Sequence, residues 1–460
     1  MITLSQIKNA VGGELLGGRD VAVNGISINT RKDCSDRIFI ALKGENFDAH
    51  DFVEQAHESG ACALMVERDV TSSLPTIKVA NTHRALADLS TWWRSNFTIP
   101  VIGVTGSVGK TTVKEMLGFI FSQWGHGVVT KGNLNNEIGV PLTLMRLSKK
   151  DKYAVVEMGM NRAGEIARIT KMARPTVAVI NNAAAAHLEE LGTVDAVARA
   201  KAEIFQGLSD SGVAIINNDD VYAQQWLEQT KQFKQLTFAL ENDADVTANY
   251  KTKDGDLIID VTYQQHNFAV EVRALGEHNI CNSLAAITAA LAAGVEIEDI
   301  QAGLRAYRPV KGRLHGMNLG QITLIDDTYN ANPLSMIAAI NVLVQKSDNC
   351  LIVGDMAELG ESAIEEHAKL GRRAAEAGVS KLFVCGEYAS IVVDGFEQSA
   401  SKSGAAVAFS SQDELIKYVT SNIHSGTVLV KGSRSARMEK VIMAFNQLYK
   451  NTSESERGHN

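Results

Sequence analysis

The segment Gly103-Val-Thr-Gly-Ser-Val-Gly-Lys-Thr-Thr112 gathers the residue types that hold phosphate. Its glycines let backbone N–H groups turn onto anionic oxygens, and a helix starting there adds the positive end of its dipole. Lys110 supplies a point charge for the β- and γ-phosphates, and Thr111 a hydroxyl for Mg2+. The general phosphate-loop pattern asks for Gly at position 104; this chain has Val104, with Gly103 one place early. The loop is therefore the variant Thr-Gly-x-x-Gly-Lys-Thr, in which Thr105, Gly106, Ser107, Gly109 and Thr112 join Lys110 and Thr111 as expected ATP contacts. Binding of a nucleoside triphosphate follows from this loop; a particular reaction does not.

Three more residues carry possible chemistry. Glu157 closes the run Tyr153-Ala-Val-Val-Glu157, and a carboxylate at a strand tip beside a phosphate loop suits a hard Mg2+ ion. The same place also suits a solvent-exposed turn residue. His187 lies just past the run Val177–Asn181, where a lone histidine serves either structure or catalysis. Lys201, in Ala200-Lys-Ala-Glu-Ile-Phe205, reads by default as a surface lysine whose stem lies along apolar neighbours. No Asn-Lys-x-Asp segment is present, which argues against a guanine-reading switch.

Positioning these groups requires strands that end where the loops begin. An apolar run leads into the phosphate loop, and Val113, Met116, Leu117 and Ile120 follow it at helical spacing. Val101–Thr105, Ala154–Glu157, Val177–Asn181 and Val213–Asn217 are near-continuous apolar runs, as expected of parallel strands covered on both faces. From Phe233 to Arg273 the pattern becomes antiparallel, with Leu257–Thr262 and Phe268–Val272 as a meander. Before about residue 84, short runs (Val21–Ile28, Ile38–Leu42, Ala63–Val66, Thr76–Val79) indicate a small α/β unit. After about residue 310 the α/β rhythm restarts with Ile322–Ile325, Cys350–Val353, Leu382–Cys385 and Val428–Val430. The expectation is an α/β protein of three domains: a small N-terminal α/β domain at 1–84, a central phosphate-loop ATPase-like domain with a mostly parallel sheet at 85–310, and a Rossmann-like α/β domain at 311–460.

Bulk properties narrow the function classes. The 460 residues are 45% apolar and 21% charged, with net charge −8 and no basic run, so a nucleic-acid partner is not expected. Met1–Ala10 lacks the apolar stretch of a signal peptide. Leu284–Val295, the most apolar segment, is short and closed by Glu296 and Glu298, which fits a buried helix better than a membrane span. Cys34, Cys62, Cys281, Cys350 and Cys385 are scattered and odd in number, pointing to buried thiols in the cytoplasm. The polar end, Asn451–Asn460, is expected to fray.

Six ordered segments together resemble a known family. Gly103–Met116 looks like the ATP loop of the Mur ligases. Lys131-Gly-Asn-Leu-Asn-Asn-Glu137 and on to Thr143, Glu157-Met-Gly-Met-Asn161, Gly276-Glu-His-Asn-Ile-Cys-Asn282, Asp326-Asp-Thr-Tyr-Asn-Ala-Asn-Pro333 and Gly354-Asp-Met-Ala-Glu-Leu-Gly360 are similar to segments of the members that add D-alanyl-D-alanine. The likeness runs from about Ser27 to Lys440. The Asp-Asn-Pro-Arg segment of the diaminopimelate-adding ligases is absent, and folylpolyglutamate synthetases lack Asn-Leu-Asn-Asn-Glu. A non-enzymatic nucleotide-binding regulator is the reading from another class.

The resemblance implies an ATP-dependent ligase that joins D-alanyl-D-alanine to UDP-N-acetylmuramoyl-tripeptide through an acyl phosphate. It makes Lys110, Glu157, His187, Lys201 and Arg313 the catalytic set, and Thr111, Glu157, His187 and Lys201 the Mg2+ site, with Lys201 carbamylated. His278, Asn279, Asn282, Arg313, Asp327 and Asn330 would meet ATP, although the first three also suit helix capping. Thr30, Arg31, Lys43, Asn135, Asn136 and Glu137 would meet the UDP-muramoyl substrate, and Lys431–Arg437 the incoming amine. The first domain would take the UDP end and the third would close on ATP. The family implies a monomer.

Overall fold

The computed structural model describes residues 1–17, 19–253, 256–399 and 404–457. Three substantial sheets follow one another along the chain. The first has five strands in the order Glu14–Leu16, Thr76–Lys78, Ala63–Val66, Ile38–Ile40, Ile26–Ser27, parallel except at the Glu14–Leu16 edge. The expected single run Val21–Ile28 is broken at Gly25, whose φ of 100° suits glycine. Its first half, Ala22–Val23, pairs with Ile2–Thr3 in a separate two-stranded sheet.

The central sheet has nine strands. Val128–Val129, Ala154–Glu157, Val101–Thr105, Val177–Ile180, Val213–Asn217, Lys234–Phe238 and Val246–Lys253 run parallel, and Asp256–Tyr263 and His266–Val272 complete it as an antiparallel edge. The expected meander is thus present from Val246 onward. Its start needs correction, because Lys234–Phe238 pairs parallel with Val213–Asn217 and continues the parallel part of the sheet. Val246–Lys253 is polar and mostly exposed, so no apolar pattern marked it.

Helices cover both faces of this sheet. On one face Val113, Met116, Leu117 and Ile120 of helix Lys110–Phe121 pack with Ile280, Leu284 and Ile287 of helix His278–Ala292. The apolar run expected to be a buried helix lies in this layer, and among the described residues no helix is long and apolar enough to cross a membrane. On the other face Ile166, Ile169, Val197 and Ile204 cover Val156, Ala178 and Ile216. Helix Thr82–Arg94 straddles residue 84, and its Ala85, Leu86 and Leu89 belong to the core of the first sheet.

The last sheet has six strands in the order His315–Leu319, Ile322–Asp327, Gly426–Lys431, Asn349–Gly354, Lys381–Cys385, Ala405–Phe409, all parallel except the first pair. Helix Glu439–Arg457 carries helical backbone into the polar end expected to fray; 458–460 lie outside the described residues. All five cysteines are free.

Candidate active site

The carboxyl ends of the central strands open onto a cavity of about 910 Å³, the place where parallel α/β sheets bind ligands. Strand Val101–Thr105 runs into the phosphate loop, and Gly109 caps the following helix with φ 81°. A Cβ on Gly109 would lie 2.2 Å from Asn282 Oδ1 and 2.4 Å from Asn181 Nδ2, so only glycine fits. The loop is stitched to the end of the neighbouring strand. Ser107 N–H donates to the Asn182 carbonyl (3.0 Å), Val108 N–H to Asn182 Oδ1 (3.0 Å), and Ser107 Oγ to the Ala184 carbonyl (3.0 Å). Thr105 Oγ1 is buried without a partner.

Lys110 folds back over the loop, donating to the Gly106 (2.6 Å) and Ser107 (3.3 Å) carbonyls. Burial pulls its pKa down, and Glu157 pulls the other way. Glu157 is not the solvent-exposed turn residue that its position also allowed. It is 2% exposed. Its Oε2 accepts from Thr111 Oγ1 (2.9 Å) and its Oε1 from Asn135 Nδ2 (2.8 Å), while its backbone N–H donates to Thr130 Oγ1 (3.0 Å).

A buried carboxylate contacted by a neutral hydroxyl and a neutral amide, beside a phosphate loop, is a donor set that a hard cation fits. Among the described residues no three His, Cys, Asp or Glu side chains converge as a ready metal cage. Mg2+ does not need one, since it takes one or two protein carboxylates and completes its shell with phosphate and water.

The third sheet contributes the opposite wall. Arg313 Nη2 donates to Thr111 Oγ1 (2.8 Å) and its guanidinium lies 4.2 Å over the Tyr329 ring. Asp327 accepts from Leu314 N–H (3.1 Å) and from Lys431 Nζ (2.7 Å), and Lys431 also donates to the Asn330 carbonyl (2.9 Å). Burial raises the Asp327 pKa against the pull of Lys431. His278 is pushed down to about 4 by burial and then by Lys431. Asn282 donates to Asn279 Oδ1 (2.8 Å) and Asn279 to the Leu275 carbonyl (2.7 Å). His187 Nδ1 lies 2.6 Å from Glu358 Oε2, and that contact lowers the Glu358 pKa.

Lys201 corrects the default reading. It is 1% exposed rather than a surface lysine. Among the described residues its amine has no hydrogen-bond or ion-pair partner. Burial, followed by repulsion from Lys110, drives its pKa well below the usual value. It is not among the residues that line the cavity, whereas Lys110, Glu157, His187 and Arg313 are.

Of the expected substrate residues, Asn135 lines the cavity with Asn133 and Asn161. Asn136 and Glu137 turn elsewhere: Asn136 Oδ1 accepts from Gly139 N–H (2.8 Å), and the Glu137 carboxylate pairs with Arg168. Thr30, whose hydroxyl donates to Gln55 Oε1 (2.8 Å), and the exposed Arg31 and Lys43 stand on the first sheet's loops, away from the cavity lining. Sequence reasoning passed over Asn181, Asn182, Tyr329 and Glu358 as site residues. Asn181-Asn182 at a strand end was the available signal for the first two.

Residues 104–290 match the model of the Mur ligase middle domain, and 312–434 that of the Mur ligase glutamate ligase domain. The UDP-N-acetylmuramoyl-tripeptide--D-alanyl-D-alanine ligase of Escherichia coli (strain K12) is 40% identical over 97% of this chain and 98% of its own length. Among solved structures, MurF from Acinetobacter baumannii superposes with TM-score 0.90 at 36% identity, covering 98% of this chain and 99% of its own. The MurF ligase of Thermotoga maritima in complex with ADP gives TM-score 0.79 at 28% identity, covering 94% and 100%.

Proposed function

The chain belongs to the Mur ligase family, and from that premise we propose that it joins D-alanyl-D-alanine to UDP-N-acetylmuramoyl-tripeptide, with ATP as the activating substrate. A carboxylate does not acylate an amine in water without activation. The peptide carboxylate oxygen attacks the γ-phosphorus and ADP leaves; the dipeptide's neutral amine then adds to the acyl carbon, phosphate departs, and the amine proton is lost to solvent. Positioning and charge neutralisation are what the protein supplies.

The observation that carries this reading is the contact of Arg313 with Thr111, whose hydroxyl also donates to Glu157; it puts a cation from the third sheet's side against the phosphate-loop hydroxyl. Lys110 and Arg313 bear on the γ-phosphate. Gly106, Ser107, Gly109 and Thr112 hold the phosphates, and His278, Asn279, Asn282, Asp327 and Asn330 the rest of the nucleotide. Thr111 and Glu157 would hold one Mg2+ and His187 a second, and such ions would supply charge neutralisation for the phosphates. Lys201 suits carbamylation in two ways: its burial disfavours the charged amine, and the amine has no partner among the described residues.

The first sheet, with Thr30, Arg31 and Lys43, takes the UDP end, and Asn135 the muramoyl side. Residues 1–84, 85–310 and 311–460 act as substrate, ATP and closing domains, the last also receiving the dipeptide through Lys431–Arg437. The family likeness also supports a cytoplasmic monomer.

Phosphate release measured with each substrate omitted in turn tests the reaction. Turnover is expected only with ATP, the UDP-linked tripeptide and D-alanyl-D-alanine all present; turnover indifferent to the last two would favour a nucleotide-binding regulator. Lys201→Ala is expected to lose most ligase activity. Near-wild-type turnover of that variant, in saturating Mg2+ without bicarbonate, would defeat its role.

A further inference from the structure

His187 follows a central strand and Glu358 follows the strand Asn349–Gly354 of the last sheet, so their contact joins two separately built walls. His187 Nδ1 lies 2.6 Å from Glu358 Oε2 in an ion-pair contact and is closed off from solvent, without an aligned hydrogen bond, whereas the side chain as a whole keeps 19% exposure. Both residues line the cavity. Both also have left-handed backbone, φ 56° and 63°, a conformation that non-glycine residues hold only where their surroundings enforce it.

Those surroundings are visible. Glu189 N–H donates to the Glu358 carbonyl (3.3 Å), and a Cβ on Gly360 would lie 3.2 Å from Glu189 Cα. Behind the loop, the Asp355 carboxylate accepts from the N–H groups of Glu387 (2.7 Å) and Tyr388 (3.2 Å). Met356 N–H donates to Nε2 of buried His367 (3.0 Å). The loop carrying Glu358 is thus tied to the last sheet and delivered to His187.

We propose that Glu358 is a positioning residue for a divalent-cation site: its carboxylate, 2.6 Å from Nδ1, sets the orientation of the His187 ring at the cavity wall. A metal-ligating imidazole commonly donates its other N–H to a carboxylate, which fixes its tautomer and orientation. Here the carboxylate and the imidazole come from different sheets, so the ligand is oriented only when those two parts meet, and cation affinity is coupled to their approach. This role rests on the reading of His187 as a cation ligand.

The test is a Mn2+ titration of the full chain, read by the resonance of free Mn2+, with a non-hydrolysable ATP analogue and the UDP-linked tripeptide present. Wild type, His187→Ala, Glu358→Ala, Glu358→Gln and the double alanine variant are compared. Glu358→Ala is expected to weaken binding by about 10–100-fold, Glu358→Gln to recover part of it through its acceptor oxygen, and Glu358→Ala to add nothing once His187 is gone. Unchanged affinity in Glu358→Ala while His187→Ala binds weakly overturns the role of Glu358 alone. An equal loss with and without His187 also overturns it, because the carboxylate would then act directly. Unchanged affinity in His187→Ala removes the ligand role of His187, and this role with it.

Discussion

The two walls of the cavity are held in place by different means. On the phosphate-loop side the positions are set by backbone: Gly109 has no room for a Cβ, and Ser107 and Val108 are hydrogen-bonded to Asn182. On the opposite side they are set by buried charge. Lys431 pairs with Asp327 at 2.7 Å, and Asp326 accepts from Gly312 N–H (3.0 Å) and Thr328 Oγ1 (2.6 Å). A cradle for phosphate works by offering N–H groups already aimed before the ligand arrives, which backbone geometry does well. A wall that must reach across to another sheet needs long side chains, and long charged side chains hold position only when buried partners satisfy them.

The two walls are expected to break differently. Lys431→Met strands the Asp327 carboxylate without its cation, and such a loss typically costs about 3–5 kcal/mol. A fall in denaturant midpoint at unchanged slope measures it, and a loss below about 1 kcal/mol would erase the contrast drawn here. Gly109→Ala attacks the other wall. It displaces the Asn181 and Asn282 side chains by more than an ångström, and misplacement on that scale costs about 10²-fold in turnover. Steady-state kinetics should show that loss in kcat/KM for ATP, larger in free-energy terms than the stability cost of placing Ala at φ 81°. A large stability loss without a kinetic one would reverse the assignment.

The same contrast governs what the sequence disclosed. The phosphate loop, Glu157 and the parallel strands were legible because backbone-built features recur as short contiguous patterns of glycine and apolar runs. The Val246–Lys253 strand was not, since a polar, exposed edge carries no apolar signal. Lys201 could not be placed by residue type alone, because a helix with apolar neighbours on both faces looks the same whether its lysine points outward or inward; only the resemblance made it a site residue. The contacts of Arg313 with Thr111 and of His187 with Glu358 join positions far apart in the chain. No local pattern encodes such pairings; only the packing of the sheets creates them. Glu137 shows the converse: it sits in a well-marked segment, yet its carboxylate is spent on Arg168.

His278 lies where the walls meet, and its titration sharpens the comparison. The fold accepts it neutral, with a pKa of about 4 against an ordinary 6.5. Between those values the unfolded chain binds a proton that the folded chain does not, so stability falls as pH drops from 6.5 to about 4. Below that range both states are protonated and this contribution no longer changes. His278→Gln is expected to flatten that slope in melting temperature against pH, and Lys431→Met to move the imidazole titration upward by removing a nearby positive charge. An unchanged titration in Lys431→Met would mean that burial alone sets the value.

The smallest effect is expected outside both walls. Glu137 and Arg168 form an ion pair with side chains 42% and 54% exposed, and water screens such a pair to roughly 0–1 kcal/mol. Glu137→Gln is therefore expected to change stability by less than about 1 kcal/mol and to leave the KM for ATP unchanged. The informative quantity is the KM for the UDP-linked substrate. An exposed, cheaply broken pair can release its carboxylate to a ligand, which a buried pair such as Asp327 with Lys431 cannot do without a large penalty. A several-fold rise in that KM means that Glu137 leaves Arg168 for the substrate; no rise means that the segment contributes through Asn135 alone, whose amide already lies on Glu157.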